Sequence, residues 1–184
     1  MFGMEMHLAP RFLGILVLLV AILAVLHWAR RFFWLFSLLV LPGTICHELC
    51  HLGVGVLLRG QPRRFSVAPR RENGSYVLGS VSFARIRWYN AFFIGLAPLL
   101  LLPLAYGGFS LLEHASGFGW KEGLGLFVVA NLLYASWPSW QDVRVAARSP
   151  IGWLLLAAGV VWLGFRGWPR ALVPGPIRIA AWEF

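Results

Sequence analysis

The chain has 184 residues, 59% of them hydrophobic and only 12% charged, with a mean hydropathy of +0.73. A soluble domain typically carries about 25% charged residues, so a soluble globular fold is excluded and a membrane protein is expected. The net charge of +9 does not call for nucleic acid, because most arginines lie in loops between apolar runs, where basic residues set topology.

The length suits a single domain, residues 1–184. Its first apolar run, Phe12 to Ala29, has 18 residues without a charge, between Arg11 and the Arg30-Arg31 pair. That is near the minimum for a spanning helix. No small-x-small cleavage site comes after it, so the run is expected as a retained first span and not a signal peptide. A second run, Phe32 to Leu58, is interrupted at Pro42-Gly43-Thr44. Proline and glycine there predict a kink or break, with Thr44 as a cap for the second helical piece. Both cysteines, Cys46 and Cys50, lie in this run. A bridge four residues apart closes almost no loop, so they read as reduced packing residues.

Arg59 to Asn90 is polar, basic and alternating. Phe65-Ser66-Val67-Ala68 and Tyr76 to Phe83 read as strands, and Asn73-Gly74 as a hairpin turn between them. Ala91 to Leu112 is a third span, with Gly95-Leu96-Ala97-Pro98 near its start. A connection holding Glu113, His114, Lys121 and Glu122 leads to a fourth span, Gly123 to Trp140. Ile151 to Phe165 is a short fifth run, tilted or interfacial, and the tail from Gly167, with Pro169, Pro174 and Pro176, reads as irregular. The expected fold is an all-α polytopic membrane protein of about five transmembrane helices, with a small β-hairpin or sheet between the second and third spans.

The Arg59–Asn90 segment carries seven arginines, against one lysine and two glutamates in the Glu113–Glu122 connection. The first therefore belongs on the cytoplasmic side of a plasma or inner membrane, and the second outside. Five spans then put the N-terminus inside and leave Arg30 and Arg31 outside.

His47-Glu48-Leu49-Cys50-His51 has the H-E-x-x-H spacing. On a helix the two imidazoles stand one turn apart and can share a Zn²⁺, while Glu48, rotated about 100° from His47, can reach a bound water as general base. The plain alternative, two helix histidines and a surface glutamate, must also explain ionisable groups in an apolar run. There a charge costs about 2.5–3.5 kcal/mol on insertion scales. A catalytic zinc usually takes three protein ligands. Asp142, the chain's one aspartate, is the leading candidate, with His114 its main rival. Ser139-x-x-Asp142 also reads as a capping box. Asp142 meets the histidines only if Pro138 breaks the fourth span and the chain re-enters as a second helical piece, which is tolerated beside a water-filled cavity.

In this pattern the chain resembles the site-2 protease family of intramembrane metalloproteases. The resemblance rests on His47-Glu48-x-x-His51 in an early span, the β-rich segment with Gly79-Ser80-Val81-Ser82-Phe83, the Gly95-Leu96-Ala97-Pro98 turn, and Asn131, Pro138 and Asp142 in order. It covers roughly residues 40 to 145, the three-span core of that fold. The family's aspartate usually precedes glycine, whereas Asp142 precedes Val143. The resemblance implies one zinc held by His47, His51 and Asp142, with Glu48 activating water to cut a transmembrane segment of a membrane-protein substrate. It also implies a role for Asn131 in holding substrate or an oxyanion, for which a packing role between helices is the equal alternative. Substrate backbone is expected to add as a strand to the hairpin edge at Gly79, Ser80 and Val81. The alternative function is a non-proteolytic membrane protein that binds a partner helix through the same core, with zinc structural or absent.

Overall fold

A computed structural model describes residues 10–72, 75–115, 117 and 119–167. It is mostly helical with a small amount of strand. In chain order the elements are α1 (Pro10–Ala29), α2 (Phe33–Leu39), α3 (Leu41–Leu57), β1 (Pro62–Ser66), β2 (Arg70–Glu72), β3 (Ser75–Val77), β4 (Ser80–Phe83), α4 (Ala91–Gly95), a 3₁₀ turn (Ala97–Leu100), α5 (Leu101–Glu113), α6 (Trp120–Ala135), α7 (Trp140–Ala146) and α8 (Pro150–Gly167).

One helix, over Phe12–Ala29, is long and apolar enough by itself to cross a membrane, and up to three segments qualify if each bent pair is one span. The first expected span is thus present, and the other four expected runs form shorter or bent helical pieces. The second run bends by 63° between α2 and α3, at Val40 and not at Pro42-Gly43-Thr44. Pro42 lies in the first turn of α3, where a missing N–H breaks no helical bond. Thr44 does not cap; its hydroxyl donates to the Val40 carbonyl within the helix. The fourth run ends at Ala135, and α7 and α8 come next, at 90° to one another.

The β segment forms two nested antiparallel ladders. β1 pairs with β4 from Pro62 opposite Phe83 to Ser66 opposite Ser80, and β2 pairs with β3 up to Glu72 opposite Ser75. Asn73-Gly74, read as the turn, lies outside the described residues, as does the tail beyond Gly167. Gly55 on α3 has no room for a side chain because the Phe83 ring fills that place, which seats β4 on the end of α3.

The apolar core joins Ile15, Leu19 and Leu26 of α1 to Ala105 of α5 and Leu126, Val129 and Ala130 of α6, with Val40 between α2 and α3. Gly108 faces Val129 and Gly125 faces Leu112, so α5 and α6 are antiparallel. Phe12 packs edge-on against Phe109 near the far end of α5. The start of α1 therefore lies at the level of the α5–α6 connection, and Arg30 and Arg31 lie at the opposite end. This corrects the expectation that they share the side of Glu113 and Glu122.

Candidate metal centre

The site is built where α3, the α4–3₁₀ junction, the end of α6 and α7 converge. Two glycines let these backbones approach. A Cβ at Gly43 would fall 2.6 Å from the Asn131 carbonyl oxygen of α6, and one at Gly95 would fall 2.5 Å from the Asp142 carbonyl oxygen of α7. The Gly95-Leu96-Ala97-Pro98 turn thus has a physical role: it lets the helix carrying Asp142 lie directly on α4.

His47 and His51 stand one turn apart on α3 with their Nε2 atoms 3.2 Å from each other. The Asp142 carboxylate faces both, Oδ1 lying 3.2 Å from His51 Nε2 and Oδ2 3.5 Å from His47 Nε2. Each residue offers one ligand atom, all within 4.8 Å of one another, so the group can hold a metal ion. The two descriptions of Asp142 turn out to be compatible. Its Oδ2 accepts the Ser139 N–H at 2.7 Å, and its own N–H donates to the Ser139 hydroxyl at 3.2 Å. The capping box fixes the carboxylate's direction at the start of α7, leaving Oδ1 to face His51.

The imidazoles are oriented by backbone carbonyls that prolines leave free. His47 Nδ1 is 2.7 Å from the Ala135 carbonyl and His51 Nδ1 is 2.7 Å from the Ile94 carbonyl. A carbonyl only accepts, so each Nδ1 carries the proton and each Nε2 presents a lone pair to the site. In a continuing helix the N–H four residues on would occupy such a carbonyl. Four residues after Ile94 stands Pro98, which has no N–H. After Ala135, Pro138 has none, and the Ser139 N–H is already taken by Asp142. Orientation of metal-ligating histidines by carbonyls is common and fixes both tautomer and ring plane.

The donor set suits a cation. Two imidazole lone pairs and a carboxylate point at one another, an arrangement that only a shared positive charge stabilises. Zn–N bonds of about 2.0–2.1 Å at tetrahedral angles put ligand atoms about 3.3 Å apart; the two imidazole Nε2 atoms are 3.2 Å apart, and each Asp142 oxygen faces one of them. His51 is buried, and the His47 and Asp142 side chains are 15% and 17% exposed. The site is therefore sheltered but reachable.

Glu48 is buried beside this group at 6% exposure. Gly79, between β3 and β4, lies against it: a Cβ there would meet Glu48 Cγ and Oε1 at 2.7 Å. Ser80 and Val81 come next on β4, paired with Ser66 and Phe65. Among the described residues no strand pairs with the other edge of β4. Asn131 is directed elsewhere. It is 1% exposed, its amide donates to the Phe127 carbonyl, and its Oδ1 receives the Gly43 N–H at 3.4 Å, a donor the first turn of α3 leaves open. Asn131 thus ties α6 to the first turn of α3. His114 is exposed, bonded to the Ser110 carbonyl, and not in the metal group. Cys46 and Cys50 are free thiols.

Sequence reasoning missed the carbonyls of Ala135 and Ile94. Pro138 and Pro98 were their signal: a proline just beyond a helix marks a carbonyl without its helical donor.

No family model, curated protein or solved structure matches the chain.

Proposed function

We propose that this chain is an intramembrane zinc metalloprotease of the site-2 protease kind. The observation that carries the reading is the convergence of His47, His51 and Asp142, one ligand atom from each within 4.8 Å of the others, beside a buried glutamate one residue from His47. A two-histidine, one-carboxylate set also suits non-haem iron. The H-E-x-x-H spacing, with Glu48 beside His47, is the pattern that favours zinc in this reading.

Bound zinc would polarise the scissile carbonyl and make a water acidic near neutral pH. Glu48 takes the proton of the attacking water and passes it to the leaving amine. The Ala135 and Ile94 carbonyls hold the two imidazoles in register throughout. The unpaired edge of β4 receives the substrate backbone as an added strand, satisfying N–H and C=O groups exposed when a transmembrane helix unwinds. Gly79 keeps that edge close to Glu48.

The chain is proposed to cross the membrane more than once, since α5 and α6 pack antiparallel beside α1 and a bilayer that holds one holds all three. The arginine-rich segment 59–90 is assigned to the cytoplasmic side. Purified wild type and Glu48→Gln test the function on a transmembrane peptide substrate. Cleavage by wild type and none by a variant that keeps its zinc is the expected result. Equal cleavage by the two removes Glu48 from the chemistry. Equal binding without cleavage by either leaves a partner-binding membrane protein.

A further inference from the structure

Three helix ends are tied together at one level of the molecule. Asn90, at 0% exposure, donates to the carbonyls of Leu58, at the end of α3, and of Arg85, and accepts the Arg87 N–H. Ser149, equally buried, donates from the α7–α8 turn to the Trp88 carbonyl. The end of α3, the start of α4 and the start of α8 therefore share one plane through the 85–90 loop.

The surface around these ties is basic and aromatic. Arg85, Arg87, Arg144 and Arg148 are all exposed. Among the described residues none of the four is in an ion pair, and Asp142 on α7 is turned toward the histidines. Trp88 and Trp140 are 61% and 69% exposed, and the Arg144 guanidinium lies 5.2 Å from the centre of the Trp140 ring. Because α7 turns 90° from α8, α7 lies along a bilayer surface when α8 stands across it.

We infer that this face, formed by the 85–88 loop and α7 with its C-terminal turn, binds the headgroups of anionic phospholipids. Apolar helices ending in one plane put the face at headgroup depth. Indoles partition to that depth, and guanidinium forks bind phosphate oxygens in pairs. Four exposed cations without carboxylate partners supply the charge complementarity for an anionic surface. The inference rests on the chain being embedded in a bilayer, and is independent of the metal and of proteolysis.

The full chain, purified in mild detergent, is offered an equal mixture of phosphatidylglycerol and phosphatidylcholine, and the lipids it retains are counted by native mass spectrometry. Wild type should retain phosphatidylglycerol preferentially, and the preference should fall by about fivefold for each arginine removed. Arg85→Gln, Arg87→Gln, Arg144→Gln and Arg148→Gln combined should abolish it, while the matching lysine variant keeps most of it. Both variants are checked for monodispersity. Equal retention of the two lipids by wild type, a preference that survives the glutamine variant, or one lost equally in the lysine variant would each overturn the proposal.

Discussion

Gly79 is where the β segment comes closest to the proposed general base, and replacing it with alanine tests that contact without touching a ligand. The added Cβ would fall 2.7 Å from Glu48 Cγ and Oε1 and 3.0 Å from its Cδ. Non-bonded contacts of this kind are comfortable from about 3.5 Å, so the carboxylate must retreat by roughly 0.8 Å. A displacement near 1 Å at a reacting group costs about 10²-fold in rate, or about 2.7 kcal/mol of barrier. None of the metal-binding atoms is displaced, so zinc content should stay at the wild-type level. Gly53→Ala is the control, because a Cβ at Gly53 on α3 meets nothing within 4 Å. That variant should cleave normally and gain up to about 1 kcal/mol of helix stability. The assay is the single-turnover rate on a transmembrane peptide, with zinc measured on the same samples. Gly79→Ala cleaving at the wild-type rate would refute the contact. Loss of its zinc would show that the hairpin shapes the ligands and not Glu48.

Three other outcomes are expected from the same geometry. Pro98→Ala restores an N–H that competes with His51 for the Ile94 carbonyl; zinc affinity, measured by chelator competition, should fall about tenfold, the lower end for a lost outer-shell partner. Gly95→Ala drives a Cβ into α7 at 2.5 Å from the Asp142 carbonyl oxygen, and thermal unfolding and zinc content should fall together. Asn131→Ala should cost about 1–2 kcal/mol of stability by leaving the Gly43 N–H unpaired. Turnover by the folded fraction should be unchanged if Asn131 only packs, and a large drop in it would assign Asn131 a substrate-binding role.

The His47–His51 half of the group that could hold a metal was legible in the sequence because ionisable residues in an apolar run are costly, and because an i, i+4 pair needs only helix geometry to converge. Asp142 was legible through scarcity and through Pro138, which signalled a break that could bring α7 back to α3. The helix boundaries were less so. An apolar run from Phe32 to Leu58 looks continuous to hydropathy, and the bend at Val40 comes from packing against α1 and α6, which leaves no local mark. The sense of α1 was also hidden, since only the Phe12–Phe109 contact puts Arg30 and Arg31 at the opposite end from Glu113. Asn90 closes a polar, basic segment in the sequence, yet it is fully buried and bonded to three backbone groups. Its signal appears only when the ends of α3 and α4 are seen to meet.

The most direct test of the central claim is zinc content per chain in wild type and in Asp142→Ala, each purified under the same conditions. About one zinc per wild-type chain, lost in the variant, is the predicted result for a three-ligand site. Zinc retained at full occupancy without Asp142, or none bound by wild type after reconstitution, would contradict it.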